Sequence, residues 1–315
     1  MNNCIEIEGL AMHFRGCQAL RQVDLDIEHG SVFALLGENG AGKTTLIRIL
    51  TGFQRPTSGR VRILGLDPLR NALEIRRRIG YVSDTPALYP WMRIDEIGSF
   101  TSAFYPEGFL DNYHDLVTRY ELPANRKIKH LSKGQRAKVA LALAVSHDPE
   151  LLILDEPTSG LDPLVRRAFL ESMVERAARG RTVLLSSHQI SEIERVADQM
   201  AIVHDGHVRL QGTLAEMRDK VVELTFSVTD PLAVLPVIER PVEVLSEQKS
   251  GRQVRWIALN SNGSIEKTVG NWPGIHSVRS RPASLEELFV ACTRGSKTLS
   301  PLSDDDSQHV AYQVS

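Results

Sequence analysis

The first regular signal along the chain is alternation. In "CIEIEG" and "QVDLDIE" apolar and acidic residues take turns, which predicts two strands with one face buried. "SVFALLG", which follows, is almost wholly apolar, as befits a strand covered on both faces of a parallel sheet. The pattern then predicts a helix over 43–51 and strands in "RVRILG" and "IGYVS". Residues 92–130 read as mostly helical with a break at "YPEG", and "HLSKGQRAKVALALA" (130–144) leads into a long amphipathic helix. "LLILDEP" (151–157) and "RTVLLSSH" (181–188) predict two further buried strands, separated by a helix over 163–178. "MAIVHDGHVRLQG" predicts a hairpin that turns at Asp205-Gly206.

Near residue 220 the patterning changes, so a principal α/β domain is expected over 1–220. "VVELTFSV", "RQVRWIAL" and "IHSVRS" predict strands, with helices near 231–239 and 284–291, so that 221–294 reads as a small α+β domain. From 295 to 315 the chain is polar, with little to bury, and is expected to be a disordered tail. No internal repeat is visible.

Composition narrows the function classes. Lys plus Arg number 37 against 39 for Asp plus Glu, a formal net charge of −2 over 315 residues. That balance provides no field to draw the molecule onto nucleic acid or an anionic membrane. Cys4, Cys17 and Cys292 are scattered and odd in number, which argues against a disulfide framework or a zinc site and for a reducing compartment. No apolar run approaches the roughly 18–20 residues that span a bilayer. "MNNCIEIEGL" lacks the basic and apolar regions of a signal peptide. The expectation is a cytoplasmic chain, with any membrane-spanning part provided by another subunit.

Three stretches carry chemistry. Gly37-Glu38-Asn39-Gly40-Ala41-Gly42-Lys43-Thr44-Thr45 contains G-x-x-x-x-G-K-[ST] between a buried strand and a helix. Its glycines let backbone N–H groups close on phosphate oxygens, Lys43 would reach the β- and γ-phosphates, and the Thr44 hydroxyl would ligate Mg²⁺. Asp155 and Glu156 end an apolar strand at the edge where α/β sheets bind ligands. Asp155 is expected to hold Mg²⁺, and Glu156 to act as general base on the attacking water. His188 ends the next buried strand, where a neutral imidazole could bond the γ-phosphate and the water.

The ordered set "GENGAGKTT", "LSKGQ", "LLILDEP", "SGLD" and "SSH" resembles the nucleotide-binding subunit of an ATP-binding cassette (ABC) transporter, over residues 4 to about 217. The resemblance implies a P-loop NTPase fold of ABC type: a RecA-like core, an N-terminal antiparallel β subdomain and a helical subdomain over about 85–148. It implies ATP and Mg²⁺ as ligands, and a head-to-tail pair of nucleotide-binding domains, as a homodimer or a heterodimer. Ser132, Gly134 and Gln135 would then contact ATP held by the partner's loop, Asp162 would link the two sites, and Phe14 would stack on adenine. A separate transmembrane permease subunit would hold the chain at the cytoplasmic face of the membrane.

Two positions depart from the family pattern. Lys133 replaces the first Gly of Leu-Ser-Gly-Gly-Gln, and Asp84 stands where Gln normally touches metal and water. Asp supplies hard oxygens and keeps the capacity to bind Mg²⁺, but is one methylene shorter. "TPALYPWMRIDEIGSFTSAFYPEGF" and "RPASLEELFV" resemble ATPases that serve exporters of drugs, antibiotics or peptides. The competing reading is a soluble cassette ATPase acting on nucleic acid or a protein assembly. Such relatives carry paired cassettes, zinc modules or coiled-coil insertions, none of which is visible here.

Overall fold

A computed structural model describes residues 3–159, 161–236, 238, 242–260 and 265–294. The expected disordered tail, 295–315, lies outside the described residues. The chain divides into two compact units, Met1–Val208 and Arg209–Ser315.

The first unit opens with β1 (Asn3–Phe14) and β2 (Cys17–Glu28), then the buried β3 (Val32–Leu36), α1 (Lys43–Leu50) and β4 (Ser58–Ile63). α2 (Ala72–Arg78), β5 (Ile79–Val82), α3 (Ile94–Ser102), α4 (Phe109–Arg119) and α5 (Lys133–Val145) follow, with a 3₁₀ turn at Ile128–His130. β6 (Leu151–Asp155), α6 (Pro163–Ala178), β7 (Thr182–Ser187), α7 (Ile190–Val196), β8 (Gln199–His204) and β9 (His207–Thr213) complete the series, the last strand crossing into the second unit.

β1, β2 and β4 form an antiparallel sheet in the order β2-β1-β4. A six-stranded sheet runs β5-β6-β7-β3-β8-β9, and β5, β6, β7, β3 and β8 pair in parallel. The wholly apolar stretches are the central strands: every residue of β3, β6 and β7 is buried. One face of this sheet shares a core with the antiparallel sheet, and α1 lies in it through Leu46, Ile47, Ile49 and Leu50. The other face packs on Leu141 and Val145 of α5 and Phe169, Leu170 and Met173 of α6. Coverage on both faces explains why these strands do not alternate.

α3, α4 and α5 enclose a separate core around Ile97, Phe109, Tyr113 and Val139. Tyr113 is fully buried, and its hydroxyl donates to the Ile94 carbonyl at 2.8 Å. Its ring lies against Gly98 so closely that a Cβ there would approach the ring to 2.2 Å.

The second unit contains α8 (Leu214–Lys220), β10 (Val221–Val228), β11 (Val242–Ser250), β12 (Gln253–Asn260), α9 (Ile265–Gly270), β13 (Ile275–Pro282) and α10 (Leu285–Arg294). Its antiparallel sheet has the order β11-β12-β10-β13, with Phe226, Trp256 and Val269 in the core. Sequence patterning puts the boundary near 220; the units divide earlier because α8 packs with β10 and β13. The helix expected near 231–239 does not form among the described residues there: 231–232 make a turn and 233–236 have no regular structure. Asp230 accepts from the Leu232 N–H at 2.8 Å, and Pro236 disfavours a helical Leu235. β11 was not predicted, because most of "VEVLSEQKS" is polar and only partly buried.

Candidate functional site

The loop after β3 is shaped by close backbone approach. A Cβ on Gly37 would come within 2.5 Å of the Val203 carbonyl, and one on Gly42 within 2.6 Å of the Ala19 carbonyl. Gly42 also has φ 111° and leads directly into α1, whose N-terminus has no side-chain cap. Uncapped first-turn N–H groups favour an anion. Loop residues 38–45 line a cleft of about 430 Å³ together with Gly16–Ala19, Asp84, Glu156 and Asp205.

Lys43 is buried, and a buried ammonium must be paired. Its Nζ donates to the carbonyls of Gly37 at 2.6 Å and Glu38 at 3.2 Å, and lies 3.1 Å from Glu156 Oε1. That last contact is an ion pair without hydrogen-bond alignment, so Glu156 Oε1 is buried and has no hydrogen bond. Glu156 Oε2 lies 2.7 Å from His188 Nδ1. Glu156 itself has φ 49°, a left-handed turn at the end of the strand that side chains rarely adopt. This turn is held by β7: the Glu156 N–H donates to the Ser186 carbonyl at 3.3 Å and to Ser186 Oγ at 3.0 Å. Ser186 Oγ in turn donates to Asp155 Oδ1 at 2.7 Å.

Lys43, Glu156 and His188, separated widely in the chain, thus meet at the carboxyl ends of β6 and β7, with Asp155 beside them. Ser186 is the residue missed by sequence reasoning. A signal was available: two consecutive buried serines follow the apolar Val183-Leu184-Leu185 of β7.

The remaining candidates are placed differently. Ser132 caps α5, its Oγ accepting from the Gln135 N–H at 3.1 Å while Gln135 Oε1 accepts from the Ser132 N–H at 3.1 Å. Ser132 and Lys133 are exposed, Gly134 and Gln135 half-buried, and none of them lines the cleft. Phe14 is exposed at the end of β1, and the turn after it, rather than its ring, reaches the cleft. Asp162 caps α6, accepting from the N–H groups of Leu164 and Val165 at 3.1 and 3.0 Å, beside a Leu164 that is 81% exposed.

Among the described residues no group of three or more His, Cys, Asp or Glu side chains forms a ready-made metal cage. The donor set still fits Mg²⁺. This ion usually takes one or two carboxylates, keeps several waters and receives the rest of its oxygens from a nucleotide. The Thr44 hydroxyl and the Asp84 carboxylate line the cleft and are such donors, whereas the buried Asp155 does not line it and has an oxygen, Oδ2, not used by Ser186.

A phosphate loop entering a helix from a central parallel strand, with an acidic strand end facing its lysine, defines a P-loop NTPase. Residues 20–159 match the family described as ABC transporter. The chain is 37% identical over 206 residues to an uncharacterised ABC transporter ATP-binding protein of a Nostoc strain, covering 63% of this chain and 61% of that one. It is 34% identical over 210 residues to the ABC transporter ATP-binding protein NatA of Bacillus subtilis, covering 64% and 84%. Against the bacitracin transport ATP-binding protein BcrA of Bacillus licheniformis it is 28% identical over 305 residues, or 94% and 99% of the two chains. A solved ATP-binding subunit of an ABC transporter superposes with TM-score 0.64 at 32% identity, covering 69% of this chain and 92% of that one. A dimeric bacterial ABC transporter cassette gives 0.60 at 26%, covering 67% and 98%. The chain belongs to the ATP-binding subunits of ABC transporters: it binds ATP and hydrolyses it to drive transport.

Proposed function

We propose that this chain works as one half of a pair of ATPase units that power an exporter through a separate permease. The observation that carries this reading is the division of the candidate residues. Lys43 and Glu156 line the cleft and His188 contacts Glu156, whereas Ser132 is exposed and touches none of them. A second copy, facing head to tail, would bring its Ser132, Gly134 and Gln135 to the phosphate held here, and Asp162 would lie between the two sites. The similarity to a cassette solved as a dimer supports the pairing. Near full-length similarity to a protein named for bacitracin transport supports docking on a permease and with it a place on the cytoplasmic face of the membrane, and similarity to a Nod factor export ATP-binding protein supports export.

In this account Gly37–Thr45 bind the triphosphate, with Lys43 leaving the loop carbonyls to meet the β- and γ-phosphates. Thr44, Asp155 and Asp84 would hold Mg²⁺, which supplies neutralisation of phosphate charge when bound. Glu156 accepts the proton of the attacking water, and His188 holds the Glu156 carboxylate in place. Phe14 stacks on the adenine. The ATP-binding domain extends over 1–220 with its helical part at about 85–148, and 221–294 is an accessory domain. Turnover per chain, measured against chain concentration, tests the pairing. The reading expects turnover to rise as copies associate; a rate per chain independent of concentration would contradict it.

A further inference from the structure

Glu192 lies on α7 outside the nucleotide cleft, and it is 2% exposed. Burying a carboxylate costs several kcal/mol unless partners surround it, and here three do. Thr158 Oγ1 lies 2.9 and 2.8 Å from its two oxygens, Ser187 Oγ donates to Oε2 at 2.9 Å, and Arg166 Nε faces Oε1 at 3.4 Å. Arg166 also donates to Gln189 Oε1 at 2.7 Å, and the Gln189 N–H donates to Ser187 Oγ at 3.0 Å. Apolar packing of the same volume would hold three segments together at least as well, because buried ion pairs are often replaced without loss of stability. The three segments themselves point to a use. Ser187 immediately precedes His188, Thr158 follows Glu156 by two residues, and Arg166 stands one turn into the helix capped by Asp162.

We propose that Glu192 is a positioning residue for hydrolysis. Through Ser187 and Thr158 it sets the backbone on both sides of the His188–Glu156 contact, and through Arg166 it ties that contact to the first turn of α6. The inference rests on the hydrolytic roles given to Glu156 and His188. A displacement of about 1 Å in such a constellation costs on the order of 100-fold in rate.

Glu192→Gln keeps the volume but replaces one acceptor by an amide donor and removes the charge facing Arg166. The expected result is a kcat about 10–100-fold lower, with the KM for ATP within about twofold because the phosphate loop is untouched. Combined with His188→Ala, it should add little further loss, since it acts through His188. Unchanged kcat, a rise in KM of the same size as the fall in kcat, or full additivity with His188→Ala would each overturn the inference. Should Glu192→Gln fail to fold, Ser187→Ala removes one donor and reads the same split. Full turnover in Glu156→Gln would instead remove the base assignment beneath it, whereas loss there with no effect at Glu192 would sink the inference alone.

Discussion

Glu156 joins a cation and an imidazole in one place: Lys43 lies 3.1 Å from one of its oxygens and His188 2.7 Å from the other. Replacing it by Gln preserves the size but removes the basic oxygen, while Lys43 keeps its two carbonyl partners. ATP binding should therefore be retained while hydrolysis falls by about 10²–10⁴-fold, the usual worth of a general base. Equilibrium nucleotide binding and single-turnover hydrolysis check both halves. The phosphate loop, Asp155, Glu156 and His188 could be picked out as candidates in the sequence because each follows a short apolar run that ends abruptly in polar residues. Ser186 and Glu192 were not. A serine in a strand, or a glutamate on a seven-residue helix, acquires meaning only when its distant partners are known.

At the scale of elements, two substitutions test how the helices are held. Gly98→Ala improves intrinsic helix propensity in α3, yet its methyl would press on the buried Tyr113 ring. Overpacking wins, and the change should destabilise by about 1–3 kcal/mol, read by chemical denaturation. In the second unit, Arg281 and Arg255 bond Glu287, and Arg281 foremost holds its carboxyl down at about 2, below its ordinary 4.5. A lowered folded value means that this stabilisation is complete above about pH 4.5 and fades as pH falls toward 2. The stability gap between the wild type and Glu287→Gln should accordingly be larger at pH 6 than at pH 3. Urea unfolding followed by tryptophan fluorescence measures it, since Trp256 and Trp272 pack in this unit. Long strands and helices with steady periods were readable in advance. The short helices α2, α7, α8 and α9, each under two full turns, leave too few repeats to establish a period. Over 231–236 the apolar residues suggest a helix, but Pro231 and Pro236 weigh against it.

For the whole molecule, the formal charge is −2, and among the described residues no helix is long and apolar enough to cross a membrane. In the proposed pair the nucleotide cleft belongs to one copy and the exposed cap of α5 to another, so the closed ATP-bound state would require two chains. Ser132→Arg places a large cation at that cap. It costs the helix about 0.5–2 kcal/mol in lost capping but leaves the phosphate loop intact, so ATP should still bind to single chains. The central claim is that ATP joins two copies through these surfaces. Light scattering on Glu156→Gln, with and without ATP, measures it directly. A doubling of mass with ATP, abolished when Ser132→Arg is added, is the predicted result; an unchanged mass with ATP bound, or a dimer indifferent to Ser132→Arg, would contradict it.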